Sequence, residues 1–143
     1  MPHLVILYTG QLDAEVNMTT LCRQMADAML TVKDESGKQV FPTGGTRVLA
    51  YPAPHYAVAD GGAAGRDAGG SGDYAFVYLN VRMGRGRTEA TQQSAGQTLL
   101  EVAKAFFAPV MAQRHIGITL QIDVGPEVFD AKHSNLHPLF NKV

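Results

Sequence analysis

The sequence predicts an α+β fold in which two β-α-β units form one four-stranded mixed sheet with both helices on one face. Two observations carry this prediction: the order strand, helix, strand occurs twice along the 143 residues, and a glycine-rich stretch separates the two occurrences. A helix that crosses between two strands of one sheet joins them as a parallel pair, and such crossovers are right-handed. Each unit is therefore expected to contribute one parallel pair. We expect a single domain over 1–143, with the first unit at 1–60, a glycine-rich loop at 61–72, and the second unit with a C-terminal tail at 73–143.

The first unit begins with a continuous apolar run from His3 to Tyr8, which is typical of a strand covered on both faces. From Asn17 to Val32, apolar residues recur at three- and four-residue steps and predict an amphipathic helix. The second strand is predicted from Thr46 to Tyr51, and Pro52 and Pro54 are expected to end it.

The second unit repeats this order with stronger strand signals. Residues 73–83 are rich in aromatic and branched side chains, and a long helical pattern follows from Thr88 to about Arg114. Pro109 interrupts that pattern and should either kink the helix or end it near Phe107, and we expect a kink. Between Ile116 and Val124 apolar residues alternate with small or polar ones, which indicates a half-buried strand.

The segment between the units, residues 61–72, is half glycine and has no apolar side chain larger than alanine. We expect a flexible, solvent-exposed loop without a chemical role, spanning about 19 Å if it behaves as a random coil.

A sheet with helices on one face leaves its other face bare. Because the strand pattern would place aromatic and branched residues there, we expect self-association to cover that face.

Composition excludes several classes of function. Lysine and arginine total 12 against 13 acidic residues, so the formal charge of −1 gives no general attraction to nucleic acid or anionic membranes. No apolar run reaches the roughly 18 residues of a membrane span, and no basic region precedes the first apolar run as in a secretion signal. The single cysteine, Cys22, fits a reducing compartment. We therefore expect a cytoplasmic protein that binds neither nucleic acid nor membrane.

The segment GRGRT at Gly84–Thr88 lies where a strand ends and a long helix begins. Helix N-termini attract anions, so Arg85 and Arg87 could bind a carboxylate or phosphate there. The segment is no dinucleotide fingerprint, because Glu89 replaces the third glycine, and it lacks the lysine of a Walker loop. A glycine turn with solvated arginines remains an equal alternative. Arg47 holds the corresponding place in the first unit, where a surface role is the simpler interpretation.

The histidines raise the question of a metal site. His133 and His137 have the spacing of two ligands on one helical turn, but no cysteine or carboxylate cluster accompanies them. We therefore expect no metal, and we expect His137 to pack rather than react.

Pro2 is the most unusual residue of the N-terminus, because proline at a strand start forfeits a hydrogen-bond donor. Removal of Met1, expected when the next residue is small, would expose a secondary amine. Such an amine is a neutral base at pH 7 only if its cation is disfavoured, which burial and nearby positive charge both achieve. Arg47 or Arg87 would supply that charge and also hold a substrate carboxylate. The alternative is a proline that merely begins a strand.

Six short motifs follow one another along almost the whole chain. They are MPH at the N-terminus, FPxxGxR at Phe41–Arg47, ADG at Ala59–Gly61, DYAFV at Asp73–Val77, GxGR at Gly84–Arg87 and HPLF at His137–Phe140. Each motif is weak alone, but their order and spacing together resemble the 5-carboxymethyl-2-hydroxymuconate isomerase family of the tautomerase superfamily. The glycine-rich insertion and some residues around 33–40 lie outside the resemblance.

The resemblance implies a tautomerase-like fold assembled as a homotrimer, with pockets near the subunit contacts. It implies a cofactor-free isomerase of aromatic-compound breakdown that moves a proton within a carboxylated 2-hydroxymuconate-type dienol or unsaturated keto acid. Pro2 would be the general base, Arg47 and Arg87 would bind the small-molecule carboxylate substrate, and no metal or organic cofactor would take part. The alternatives are another superfamily activity, such as arylpyruvate tautomerase, decarboxylase or hydratase, and a non-catalytic trimeric binding protein.

Overall fold

The computed structural model describes residues 2–140, in which four strands form one mixed sheet in the order β2-β1-β3-β4. The strands are β1 His3–Thr9, β2 Arg47–Ala53, β3 Ala75–Met83 and β4 Ile116–Val124, and the α-helices are α1 Met18–Thr31, α2 Ala63–Asp67 and α3 Glu89–Met111. β1 pairs in parallel with β2, and β3 pairs in parallel with β4. β1 and β3 join the two pairs as antiparallel neighbours, which confirms the predicted mixed sheet of two β-α-β units.

The core lies between one face of the sheet and the helices α1 and α3. α1 contacts β2, α3 contacts β4, and the two helices contact each other. Alternate residues of the interior strands are fully or almost fully buried beneath them: Leu4, Ile6, Tyr8, Ala75, Val77, Leu79, Val81 and Met83. α1 and α3 each begin at a side-chain cap, since Asn17 accepts from the Thr20 N–H and Thr88 accepts from the Thr91 N–H.

The structure corrects the prediction for Pro52 and excludes one of the two alternatives for Pro109. β2 runs through Pro52 to Ala53, so Pro52 does not end the strand. β2 is an edge strand that pairs only with β1. A proline is tolerated in an edge strand where the backbone nitrogen faces solvent, because no hydrogen bond to a neighbouring strand is then lost. α3 likewise continues past Pro109 to Met111, so it does not end near Phe107, and the kink stays a prediction.

The glycine-rich segment is built differently from the random coil that its composition predicts, because it contains the helix α2. The Asp60 carboxylate accepts hydrogen bonds from the backbone N–H groups of Ala64 (2.9 Å) and Gly62 (2.8 Å), which lower the pKa of Asp60 to about 2. The Gly65 N–H donates to the Tyr74 hydroxyl (2.8 Å), and a Cβ at Gly65 would lie 2.6 Å from the Tyr74 ring. Glycine at position 65 therefore allows α2 to pack closely against Tyr74, so the segment is ordered at this point.

The sheet face opposite the helices carries an apolar patch. Its largest exposed side chains are Leu7, Leu49 and Tyr51, at 47, 46 and 50% exposure. The register places Tyr51 beside Leu7 and Leu49 beside Val5, while Tyr78 of β3 lies on the other side of Leu7. These five residues, called here the open-face patch, form a continuous apolar surface that water contacts in the single chain.

Candidate active site

Pro2 lies directly before β1, the strand that has β2 on one side and β3 on the other. The residue is buried and lines a cavity of about 190 Å³, called here the Pro2 cavity. Its wall combines the apolar residues Val40, Phe41, Pro42 and Met83 with the potentially cationic side chains of Arg87, Lys132 and His137. Apolar walls and positive charge both oppose protonation of an amine, so a free amine at Pro2 would be disfavoured in its charged form here.

The loop after α1 places one wall of the cavity. The Asp34 carboxylate accepts from the Ser36 hydroxyl (2.7 Å), the Ser36 N–H (2.9 Å) and the Lys38 N–H (3.0 Å). These hydrogen bonds, that of the Ser36 hydroxyl first, lower the pKa of Asp34. The Val40 N–H then donates to the Val32 carbonyl (2.9 Å) at the end of α1, so the loop closes on itself and holds Val40 in place.

The FPTGGTR motif forms a second wall through a 3-10 turn at Thr43–Gly45. The Thr46 hydroxyl donates to the Pro42 carbonyl (2.9 Å) and fastens the turn. Gly44 is in close contact with His137, since a Cβ there would lie 2.9 Å from the His137 Nδ1 atom. The turn therefore holds the C-terminal tail against the cavity.

Arg87 enters the cavity from the segment before α3. Gly86 has a φ of +100°, a backbone conformation that suits glycine, and it turns the chain immediately before Arg87. The Arg87 Nη2 atom donates to the Val40 carbonyl (2.8 Å), which fixes the guanidinium beside the cavity wall. That bond uses one of the five N–H donors of a guanidinium, a group whose planar fork matches a carboxylate.

The other features of GRGRT have different partners. The Arg85 Nε atom donates to the Gly125 carbonyl (3.0 Å) and tethers the chain after β4. The Thr88 hydroxyl donates to the Glu35 carboxylate, and this bond lowers the pKa of Glu35. The N-terminus of α3 therefore already has an anionic neighbour, and the two arginines point to separate places.

Arg47 lies at the start of β2 and lines a neighbouring open cleft rather than the Pro2 cavity. The cleft wall otherwise comes from tail residues 133–136. The Arg47 Nη1 atom donates to the Gly45 carbonyl (3.1 Å), and Arg47 pairs in register with His3 on the open face of the sheet. In the single chain, the structure thus brings Pro2 and Arg87 together and places Arg47 beside them in a separate cleft.

Sequence reasoning placed neither Lys132 nor His137 in the cavity wall: it did not name Lys132, and it expected His137 to pack rather than react. Lys132 forms an ion pair with Asp130 (2.9 Å) in the tail. The motif HPLF contained His137, but the motif gave no indication of where the tail would pack. His133 and His137 line different pockets. Within the described part of the chain, no group of three or more histidine, cysteine or acidic side chains could hold a metal ion.

The fold and the site first define a class. A mixed sheet of two β-α-β units, with Pro2 directly before the first strand in a cation-lined cavity, has the architecture of tautomerase-like proteins. None of the helices in residues 2–140 has the length and apolar character needed to cross a bilayer.

A family model for 5-carboxymethyl-2-hydroxymuconate isomerase matches residues 2–140. The chain therefore belongs to the 5-carboxymethyl-2-hydroxymuconate isomerase family, which confirms the resemblance and the prediction of an isomerase at the level of the family.

Individual relatives agree with this assignment. A crystal structure of a 5-carboxymethyl-2-hydroxymuconate delta-isomerase is 67% identical, with a TM-score of 0.97 over 100% of this chain and 95% of that chain. A 5-carboxymethyl-2-hydroxymuconate isomerase from Deinococcus radiodurans R1 is 28% identical, with a TM-score of 0.78 over 99% and 95% of the two chains. The 5-carboxymethyl-2-hydroxymuconate Delta-isomerase of Escherichia coli is 25% identical over 140 residues, which cover 98% of this chain and 99% of the relative.

Proposed function

We propose that the mature protein, with Met1 removed, is a cofactor-free isomerase whose substrate is 5-carboxymethyl-2-hydroxymuconate or a close analogue. The observation that carries this proposal is the buried position of Pro2 in a cavity that Arg87 also lines. Membership of an isomerase family supports the reaction class. A cytoplasmic location belongs to the proposal, since the lone Cys22 fits a reducing compartment.

In the proposed reaction, Pro2 moves one proton along a conjugated acid. The neutral Pro2 nitrogen accepts the proton of the substrate 2-hydroxyl, so that the O–H bond breaks and a C2 carbonyl forms. The electron pair shifts along the diene, and the proton returns from the Pro2 ammonium to a distant carbon as a new C–H bond. No electrons leave the substrate, so the step requires no oxidant or reductant. Arg87 binds a substrate carboxylate and disfavours the Pro2 cation until the proton arrives.

We expect the processed protein to isomerise 5-carboxymethyl-2-hydroxymuconate with a kcat/KM at least about 100-fold above that for tautomerisation of phenylpyruvate. The reason is that the cationic side chains of Arg87 and Lys132 line the cavity and suit a substrate with several carboxylates. Loss of the dienol absorbance measures the first reaction, and loss of the enol absorbance measures the second.

The alternatives predict other outcomes of the same assay. Faster turnover of phenylpyruvate would favour an arylpyruvate tautomerase of the same fold. Binding of the muconate without turnover, by protein whose intact mass shows a free Pro2, would favour a non-catalytic binding protein.

A homotrimer is the second part of the proposal. The open-face patch exposes apolar side chains to water in the single chain, and contact with two further copies of this protein would bury them. Arg47 lies on that same face of the sheet, so trimer formation would bring subunit contacts close to its cleft. Arg47 would then bind a second carboxylate of the substrate in the assembled protein.

Leu49→Arg is expected to dissociate the trimer, because it buries an unpaired charge in the patch. Light scattering should give a mass near 15.3 kDa for the variant, against about three times that mass for the wild type. Met111→Arg is the matched control, since Met111 is 53% exposed at the end of α3, away from the sheet. A Leu49→Arg variant that keeps the wild-type mass, or a monomeric wild type, would contradict the proposed assembly.

A further inference from the structure

One polar atom in the Pro2 cavity lacks a partner. The Nε2 atom of His137 is buried and has no hydrogen-bond partner among residues 2–140, while the His137 side chain lines the cavity together with Pro2 and Arg87. Buried polar atoms of native proteins are almost always hydrogen-bonded. An unpaired nitrogen in the wall of a binding cavity therefore points to a partner that arrives with the bound molecule.

The His137 ring is held in one position by its surroundings. A Cβ at Gly44 would lie 2.9 Å from His137 Nδ1 and 3.1 Å from His137 Cα, so the turn at Thr43–Gly45 and the tail pack directly against each other. His137 also starts a short 3-10 turn, in which its carbonyl accepts from the Phe140 N–H (3.0 Å). A ring fixed in this way can meet a ligand atom with little loss of conformational freedom.

Arg87 and His137 offer two different kinds of hydrogen bond to a molecule in the cavity. The guanidinium of Arg87 presents two parallel donors, which match the two oxygens of a carboxylate. A neutral imidazole presents a single N–H, which matches a single oxygen. The apolar wall formed by Val40, Phe41 and Met83 strengthens any such hydrogen bond by excluding water.

Building on the proposed function, we propose that His137 is a further catalytic residue, whose Nε2–H donates a hydrogen bond to the C2 oxygen of the substrate. That oxygen gains negative charge when Pro2 removes its proton. The hydrogen bond is therefore stronger in the transition state than in the bound substrate, and it raises kcat more than it lowers KM.

The experiment compares processed wild type, His137→Phe and His137→Gln with 5-carboxymethyl-2-hydroxymuconate as substrate. Phenylalanine keeps a ring against Gly44 but has no donor, whereas glutamine places an amide N–H at a similar reach. We expect His137→Phe to lower kcat about 100-fold with KM changed less than threefold, and His137→Gln to recover at least tenfold of that loss. Binding of glutarate, an unreactive dicarboxylate, should stay within threefold in both variants because Arg87 is retained.

The control is His55→Phe, the same substitution at an exposed histidine in the segment after β2, which should keep wild-type kinetics. His137→Phe with kcat within threefold of wild type, a loss found only in KM, or a glutamine variant no better than phenylalanine would each overturn the role of His137. Loss of glutarate binding in both variants would overturn it too, because the ring would then support the cavity rather than act on the C2 oxygen. A wild type without turnover refutes the proposed function itself, whereas an active wild type with an unaffected His137→Phe variant refutes only this inference.

Discussion

A protein that keeps any residue in front of Pro2 should lose at least about 1,000-fold in kcat/KM. The extra residue turns the secondary amine of Pro2 into a tertiary amide, which has no lone pair available for proton transfer. A positioned general base contributes about 100- to 10,000-fold, and the blocked chain would also crowd a cavity of about 190 Å³. Steady-state kinetics on 5-carboxymethyl-2-hydroxymuconate, with intact mass to verify the terminus, measures the loss.

Two forms released from a cleavable fusion make the comparison clean, one beginning at Pro2 and one carrying Gly-Ser-Met before it. Circular dichroism and light scattering should be the same for both forms, so that only the terminal nitrogen differs. Pro2→Ala with a free terminus should lose less than the blocked form, because it retains a primary amine of similar reach. A blocked form that turns over substrate as fast as the processed one would eliminate Pro2 as the base.

Replacing Arg87 with glutamine should lower kcat/KM about 100-fold. A hydrogen bond between charged groups contributes about 1.5–3 kcal/mol, and the loss of about 3 kcal/mol corresponds to roughly a 100-fold change. Arg87→Lys should lose less, since it keeps the positive charge but not the planar fork. Both variants should also bind glutarate more weakly, and isothermal titration measures that change.

Arg85 provides the matched control, because it lies two residues away on the same turn and donates to the Gly125 carbonyl. Arg85→Gln should keep kcat/KM within about threefold of wild type. The Arg87 Nη2 bond to the Val40 carbonyl contributes at most about 3 kcal/mol to stability, so the Arg87 variants should still fold. Equal losses at the two arginines would mean that the turn as a whole matters, and that Arg87 has no special role in binding carboxylate.

The sequence predicted the sheet well because local patterns determine it. The alternation from Ile116 to Val124 matches β4 residue for residue, and the apolar run from His3 to Tyr8 gives all but the last residue of β1. The predictions failed where position in the fold decides the outcome. Pro52 can lie in a strand only because that strand is at the edge of the sheet, which no local pattern reveals.

The candidate site was only partly predictable for the same reason. Pro2 and Arg87 were named from the sequence, and the structure places both in one cavity wall. His137 lies 135 residues from Pro2 along the chain and reaches the cavity through the tail, which carries no periodic pattern. Arg47 lies in a neighbouring cleft of the single chain, so any part it plays in catalysis depends on subunits that the sequence does not position.

Pro2 lies immediately before β1, and this position affects how the substrate preference of the fold can change. Residues near a chain end often fray, but Pro2 leads directly into a strand that is hydrogen-bonded on both sides. The nitrogen proposed as the base therefore adjoins a strand with neighbours on both sides, while the loops and the tail supply its surroundings. New substrate preferences can therefore arise through changes in those peripheral segments, while the position of Pro2 stays the same.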